Sequence, residues 1–197
     1  MVAREHGYTL VEVMMALTVL AIGAAGIFAL QTVAVRGNAD SADLTAATNI
    51  ARDWTERIKA DALDWNTSAL PGSMGDANDT FYLNGITPSD DWHPLLPQTA
   101  TGLAVATPQR ADGTFDANGQ FCAHMRLRSP TAAVAGLPAI EGLELTVRVW
   151  WFKGPYQNRG AYPQCGTAQV ATMGADLTHF HWVYVTTFIA PTGLVTQ

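Results

Sequence analysis

Apolar and polar positions divide the chain into zones with different periods. Residues 1–7 are short and polar, and from Val13 to Leu30 only Thr18 is polar. No charge follows Glu12 until Arg36. About 23 charge-free residues, rising ~1.5 Å each in a helix, cover roughly 34 Å and can span a bilayer core of about 30 Å. Beyond Arg36, Leu44, Ala47, Ala51, Trp54, Ile58 and Ala62 recur at spacings of three and four. That is the apolar stripe of an amphipathic helix. Asp40, Asp43, Asp53, Glu56, Arg57 and Lys59 decorate its other sides as a solvated face. One long helix is expected over about residues 8–65, apolar all round in its first half and half-buried in its second. Gly37 and Asn38 weaken the junction without ending it. Gly23 and Gly26 suit close helix packing through small side chains.

Turn residues then take over. Residues 71–79 are expected to be loop. Much of the stretch to Gly119 is similar, with apolar islands at Phe81, Tyr82 and Leu83 and at Leu103, Ala104 and Val105. Three strands are expected next. Phe121, Ala123, Met125 and Leu127 alternate with Cys122, His124, Arg126 and Arg128. Leu143, Leu145, Val147, Val149 and Trp151 alternate with Glu144, Thr146, Arg148 and Trp150. The third run, residues 180–189, is dense in aromatic and β-branched residues. Period-two patterning with one polar face suits an antiparallel sheet covered on one side, and the helix supplies the cover. The expected fold class is α+β, and Trp54 and Trp65 are expected in its core.

Composition narrows the chemistry. The formal net charge is −6 and no run of Lys or Arg occurs, which argues against nucleic-acid binding. Cys122 and Cys165 lie in no C-x-x-C pattern. In an oxidising compartment one disulfide between them is the simplest reading, closing a loop of roughly 40 residues and stabilising by about 3–4 kcal/mol. It would clip the loop 155–174 onto the sheet. Two buried free thiols are the alternative. No G-x-S-x-G, G-x-G-x-x-G or Walker pattern occurs. The segment from Asp112 to Gly119 faintly resembles a calcium loop, but Ala117 stands where an EF-hand needs glycine, and a turn is preferred. His179 and His181 share a face if they lie on a strand, with no further ligand at a telling spacing. No catalytic residue, metal site or cofactor is expected, and the chain is not expected to be an enzyme.

Glu12 needs an explanation of its own. A carboxylate deep in a membrane helix costs on the order of 2.5–3.5 kcal/mol. Both a cleavable signal peptide and a plain signal anchor leave it unexplained, and a signal peptide would also want a positive start, whereas Arg4 is followed by Glu5. The run Gly7, Tyr8, Thr9, Leu10, Val11, Glu12 resembles the class III signal of type IV pilins and type II secretion pseudopilins. That resemblance implies cleavage by a prepilin peptidase between Gly7 and Tyr8 and N-methylation of Tyr8. Tyr8 stands where phenylalanine is commoner. It also implies that Glu12, fifth in the mature chain, pairs in the filament with the α-amine of a neighbouring subunit. The alternative is a side chain that merely snorkels to the interface.

The continuation through Met14, Met15, Ala16 and Leu17, Ala21 to Gly23, and Gly26 to Gln31 is most similar to PilV-type minor pilins. The implied division is a leader at 1–7, a transmembrane and filament-core helix at 8–35, its amphipathic half at 36–66, and a head with an antiparallel sheet at 67–197. Implied partners are other minor and major pilins, the prepilin peptidase, the inner-membrane assembly platform and a tip adhesin. The implied location is the inner membrane, single-pass with a periplasmic head, and then a pilus at the cell surface. A minor pseudopilin of type II secretion and a membrane-anchored binding domain outside any filament remain open. So does the choice among adhesion, motility and DNA uptake.

Overall fold

The computed structural model describes residues 9–65, 80–95, 108–116, 118–129, 142–153, 165–166 and 178–190. The chain forms two compact units, Met1–Asp43 and Leu44–Gln197. In order, the elements are α1 (Leu10–Asp61), β1 (His93–Pro94), β2 (Cys122–Arg128), β3 (Leu143–Phe152) and β4 (Phe180–Ile189), with a 3-10 turn at Ala62–Asp64 closing the helix.

Within the first unit no described residue is buried. Its few hydroxyl groups bond back to the helix instead of facing outward unpaired. Thr18 Oγ1 donates to the Met15 carbonyl at 2.7 Å, Thr32 to Phe28 at 3.0 Å and Ser41 Oγ to Gly37 at 2.8 Å. Such bonds let an apolar helix carry Ser and Thr. The helix runs without a break through Gly37 and Asn38.

In the second unit, α1 buries Ala46, Ala47, Ile50, Ala51, Trp54, Thr55 and Ile58. The stripe is shifted from the periodic expectation at its start, since Leu44 is 50% exposed. Among the described residues, four strands form one antiparallel sheet in the order β1-β2-β3-β4. Ala123, Val149 and Val183 lie in one cross-strand row. The face they share packs under the helix, which closes a core of Ile50, Trp54, Ile58, Leu127, Leu145, Val147 and Val149. A long N-terminal helix laid on a four-stranded antiparallel sheet matches the type IV pilin fold. The expected runs coincide with β2, β3 and β4. β1 has no run to announce it: it is two residues long and contains a proline, which a sheet tolerates at its edge.

Trp54 is 1% exposed and sits edge-on to Tyr82 and Phe115. Its indole N–H donates to Gln109 Oε1 at 3.0 Å. Gln109 also bridges the backbone of Phe121 in both directions. Gly119 packs against this same backbone so closely that a Cβ would lie 2.4 Å from the Gln109 carbonyl carbon. Gly119→Ala is therefore expected to destabilise the head by about 1–3 kcal/mol, the usual range for forced overpacking. Urea unfolding followed by tryptophan fluorescence checks this. At the far end of α1, the Asp61 carboxylate accepts the backbone N–H groups of Phe81 and Tyr82, both at 2.7 Å, and ties the returning chain to the helix.

One expectation is corrected. The sheet is not covered on one side only. Cys122, His124, Arg148, Trp150 and Phe180 project to the face away from the helix, and all five are buried. The sequence between Phe152 and Phe180 supplies Cys165 to that face, and with Cys122, Trp150 and Phe180 it forms a second core.

Candidate functional site

The chemistry that singles out this chain lies at the start of α1. Gly7 and Tyr8 fall outside the described residues. Thr9 and Glu12 form a reciprocal cap: the Thr9 N–H donates to Glu12 Oε2 at 3.1 Å, and the Glu12 N–H donates to Thr9 Oγ1 at 3.3 Å. The Thr9 hydroxyl also reaches Glu12 Oε2 at 3.3 Å. This is a capping box, in which Thr at the N-cap and Glu three residues on satisfy two donors that the first helical turn leaves open. The acid also favours the positive end of the helix dipole. The spacing Thr-x-x-Glu just before an apolar run is the sequence signal for this role of Thr9.

Beyond the cap, Leu10, Val11, Met14, Met15, Leu17, Val19, Leu20, Ile22, Phe28 and Leu30 are all exposed. The helix is long and apolar enough to cross a membrane. A monomer in water would not hold so large an apolar surface open.

Residues 2–28 match the family described as the prokaryotic N-terminal methylation motif. The match supports a type IV prepilin-like protein. No curated protein and no solved structure matches the chain. A prepilin-like N-terminus and an apolar helix are consistent with membrane attachment, and they support a structural subunit that assembles with other pilins and is processed by a prepilin peptidase.

In the head, a disulfide joins Cys122 to Cys165, with Cα atoms 5.3 Å apart. The Cys165 carbonyl is held a second time, by His124 Nε2 at 2.9 Å. Arg148 Nη2 lies 3.2 Å from His124 Nδ1. A carbonyl needs a donor and a guanidinium needs an acceptor, so both contacts fit neutral His124 protonated on Nε2. His124 is 0% exposed. Burial pushes its pKa down to about 4, with the Arg148 charge adding to the shift against the opposing pull of the Cys165 carbonyl.

The unfolded chain takes up this proton below about pH 6.5, while the folded head resists until about pH 4. Stability from His124 is therefore complete above pH 6.5 and is lost as pH falls toward 4, by about 3 kcal/mol in all. Unfolding by urea at a series of pH values tests this. His124→Gln should flatten the slope between pH 6.5 and 4.

The other candidate groups have ordinary roles. Asp112 accepts the Thr114 N–H and hydroxyl at 2.9 and 2.6 Å, and these bonds hold its carboxyl below the usual range. Asp116 pairs with Arg110 at 2.6 Å and accepts the Asn118 N–H at 2.6 Å. The segment is a turn, with Gly113 in the left-handed region at φ 81°. His181 stacks on Trp151 and His179 on Phe152. Among the described residues no three His, Cys, Asp or Glu side chains converge on a metal position.

Proposed function

We propose that the chain is a minor pilin of the PilV type, a structural subunit of the complex that primes or tips a type IV pilus. A prepilin peptidase cuts between Gly7 and Tyr8 and methylates Tyr8. The apolar segment, taken as 8–35, first holds the precursor in the inner membrane with its head in the periplasm. It then packs among the corresponding helices of neighbouring subunits in the filament, which reaches the cell surface. Residues 36–66 carry the helix into the head. The assembly platform and the other minor and major pilins are its partners, with a tip adhesin beyond them.

The observation that carries this reading is the pairing of an apolar first half of α1, in which no described residue is buried, with an acidic residue at its N-terminal turn. Cleavage at Gly7 creates an ammonium group on Tyr8, four residues before Glu12. Inside a packed bundle both charges need partners, because an unpaired buried charge costs several kcal/mol. Glu12 of one subunit meeting Tyr8 of the next satisfies both and sets their axial register. Mass spectrometry of the protein purified from its native membrane tests the processing step. A chain beginning at N-methylated Tyr8 is expected, and a chain that retains residues 1–7 would exclude the proposal.

A further inference from the structure

We propose that the outer face of the head sheet carries an acceptor site for a carboxylate, in which Arg126 and Arg148 beneath Trp92 receive an acidic side chain from a partner protein. Arg126 on β2 stands opposite Thr146, and Arg148 on β3 stands opposite His124, so the two arginines are diagonal neighbours on one face. Trp92, just before β1, lies over both: their guanidinium carbons are 4.7 and 4.0 Å from its ring centroid. Tyr184 on β4, opposite Arg148, closes the other side, 6.0 Å from Trp92 by ring centroids.

These two cations have no counter-charge among the described residues, although acids are near. Arg128, two positions along the same strand face, is paired with Asp90. Among the described residues, three donors on this face are also buried without an acceptor: Arg126 Nε, Arg148 Nε and Trp150 Nε1. Arg148 is 7% exposed. A buried guanidinium left short of acceptors is costly, and a carboxylate is the group whose two oxygens match its fork.

The site has a way in. Arg126 is half-buried and Tyr184 is 48% exposed, with Phe188 exposed farther along β4. Arginine framed by Trp and Tyr is the composition of a protein-binding hot spot rather than of a pocket for a free ion. A Glu or Asp stem can lie along the aromatic rim while its carboxylate reaches the arginines. The head alone carries the site, whether or not the chain enters a filament.

The test uses the full chain in detergent micelles with ¹⁵N-labelled arginine. Hexaglutamate peptide, sodium acetate, sodium sulfate and a short single-stranded oligonucleotide are titrated at equal ionic strength. The peptide should shift the Nε–H signals of Arg126 and Arg148 saturably. Arg126→Gln should weaken it at least tenfold, while Arg110→Gln, on a residue already paired with Asp116, should leave it unchanged. A matching melting temperature shows that the Arg126 variant is folded. Absence of a saturable shift, or the same affinity in the Arg126 variant, overturns the site. Acetate or sulfate saturating at the peptide's concentration, or tighter binding of the oligonucleotide, overturns the acidic protein partner.

Discussion

Glu12→Gln is expected to leave the helix start intact and to reduce incorporation into filaments at least a hundredfold. The substitution separates the capping that the geometry shows from the ion pair proposed for the filament. Glutamine at the third helical position still completes a capping box with Thr9, so the bonds at 3.1 and 3.3 Å keep their counterparts. It removes only the charge. If the proposed pair forms in the packed bundle, the Tyr8 ammonium is then left alone, and breaking a buried pair by deleting one partner costs about 3–5 kcal/mol. At 1.4 kcal/mol per factor of ten, even the lower bound exceeds a hundredfold. Glu12→Ala removes charge and cap together and should be at least as damaging. The ratio of protein in sheared filaments to protein in the membrane gives the readout for both. Wild-type incorporation of the Gln variant beside failure of the Ala variant would assign Glu12 to capping and remove the ion pair from the mechanism.

Replacing Cys122 and Cys165 together by Ser should destabilise the head by about 4 kcal/mol. The bridge spans a sequence separation of 43, and the chain-entropy model gives that cost for a loop of this length. For a domain of this size the loss corresponds to a melting temperature lower by roughly 10 °C. The effect reaches beyond the bond itself. Cys165 brings both its sulfur and its carbonyl to the outer face, where the sulfur joins Trp150 and Phe180 and the carbonyl receives His124. Release of this segment leaves His124 without its acceptor and exposes the second core. Melting of the wild-type protein with and without reductant, beside the double variant, checks the prediction. A wild-type melting temperature unmoved by full reduction would show that the outer face is held by other contacts.

Much of the architecture could be read from local pattern. The apolar run, the three- and four-residue stripe and the period-two strands each report what a residue's near neighbours require, and those requirements are met within one element. Burial on the helix side followed for the same reason: Trp54, Ile58, Leu145 and Val147 lie on faces that their own periodicity had marked apolar. The capping box was legible as well, since Thr9 and Glu12 are three residues apart. Asp61 was not, because its two backbone donors come from Phe81 and Tyr82, twenty residues away.

The N-terminal methylation motif, the membrane-length helix and the α+β class were thus determined by the sequence alone, because each rests on composition and spacing over a few turns or strands. The tertiary structure decided the outer face of the sheet. Alternation marked His124, Arg126 and Arg148 as solvent positions, yet Cys165 and Trp92 fold back over them from distant parts of the chain. Whether a polar side chain on a strand meets water depends on what crosses above it, and no period within the strand encodes that.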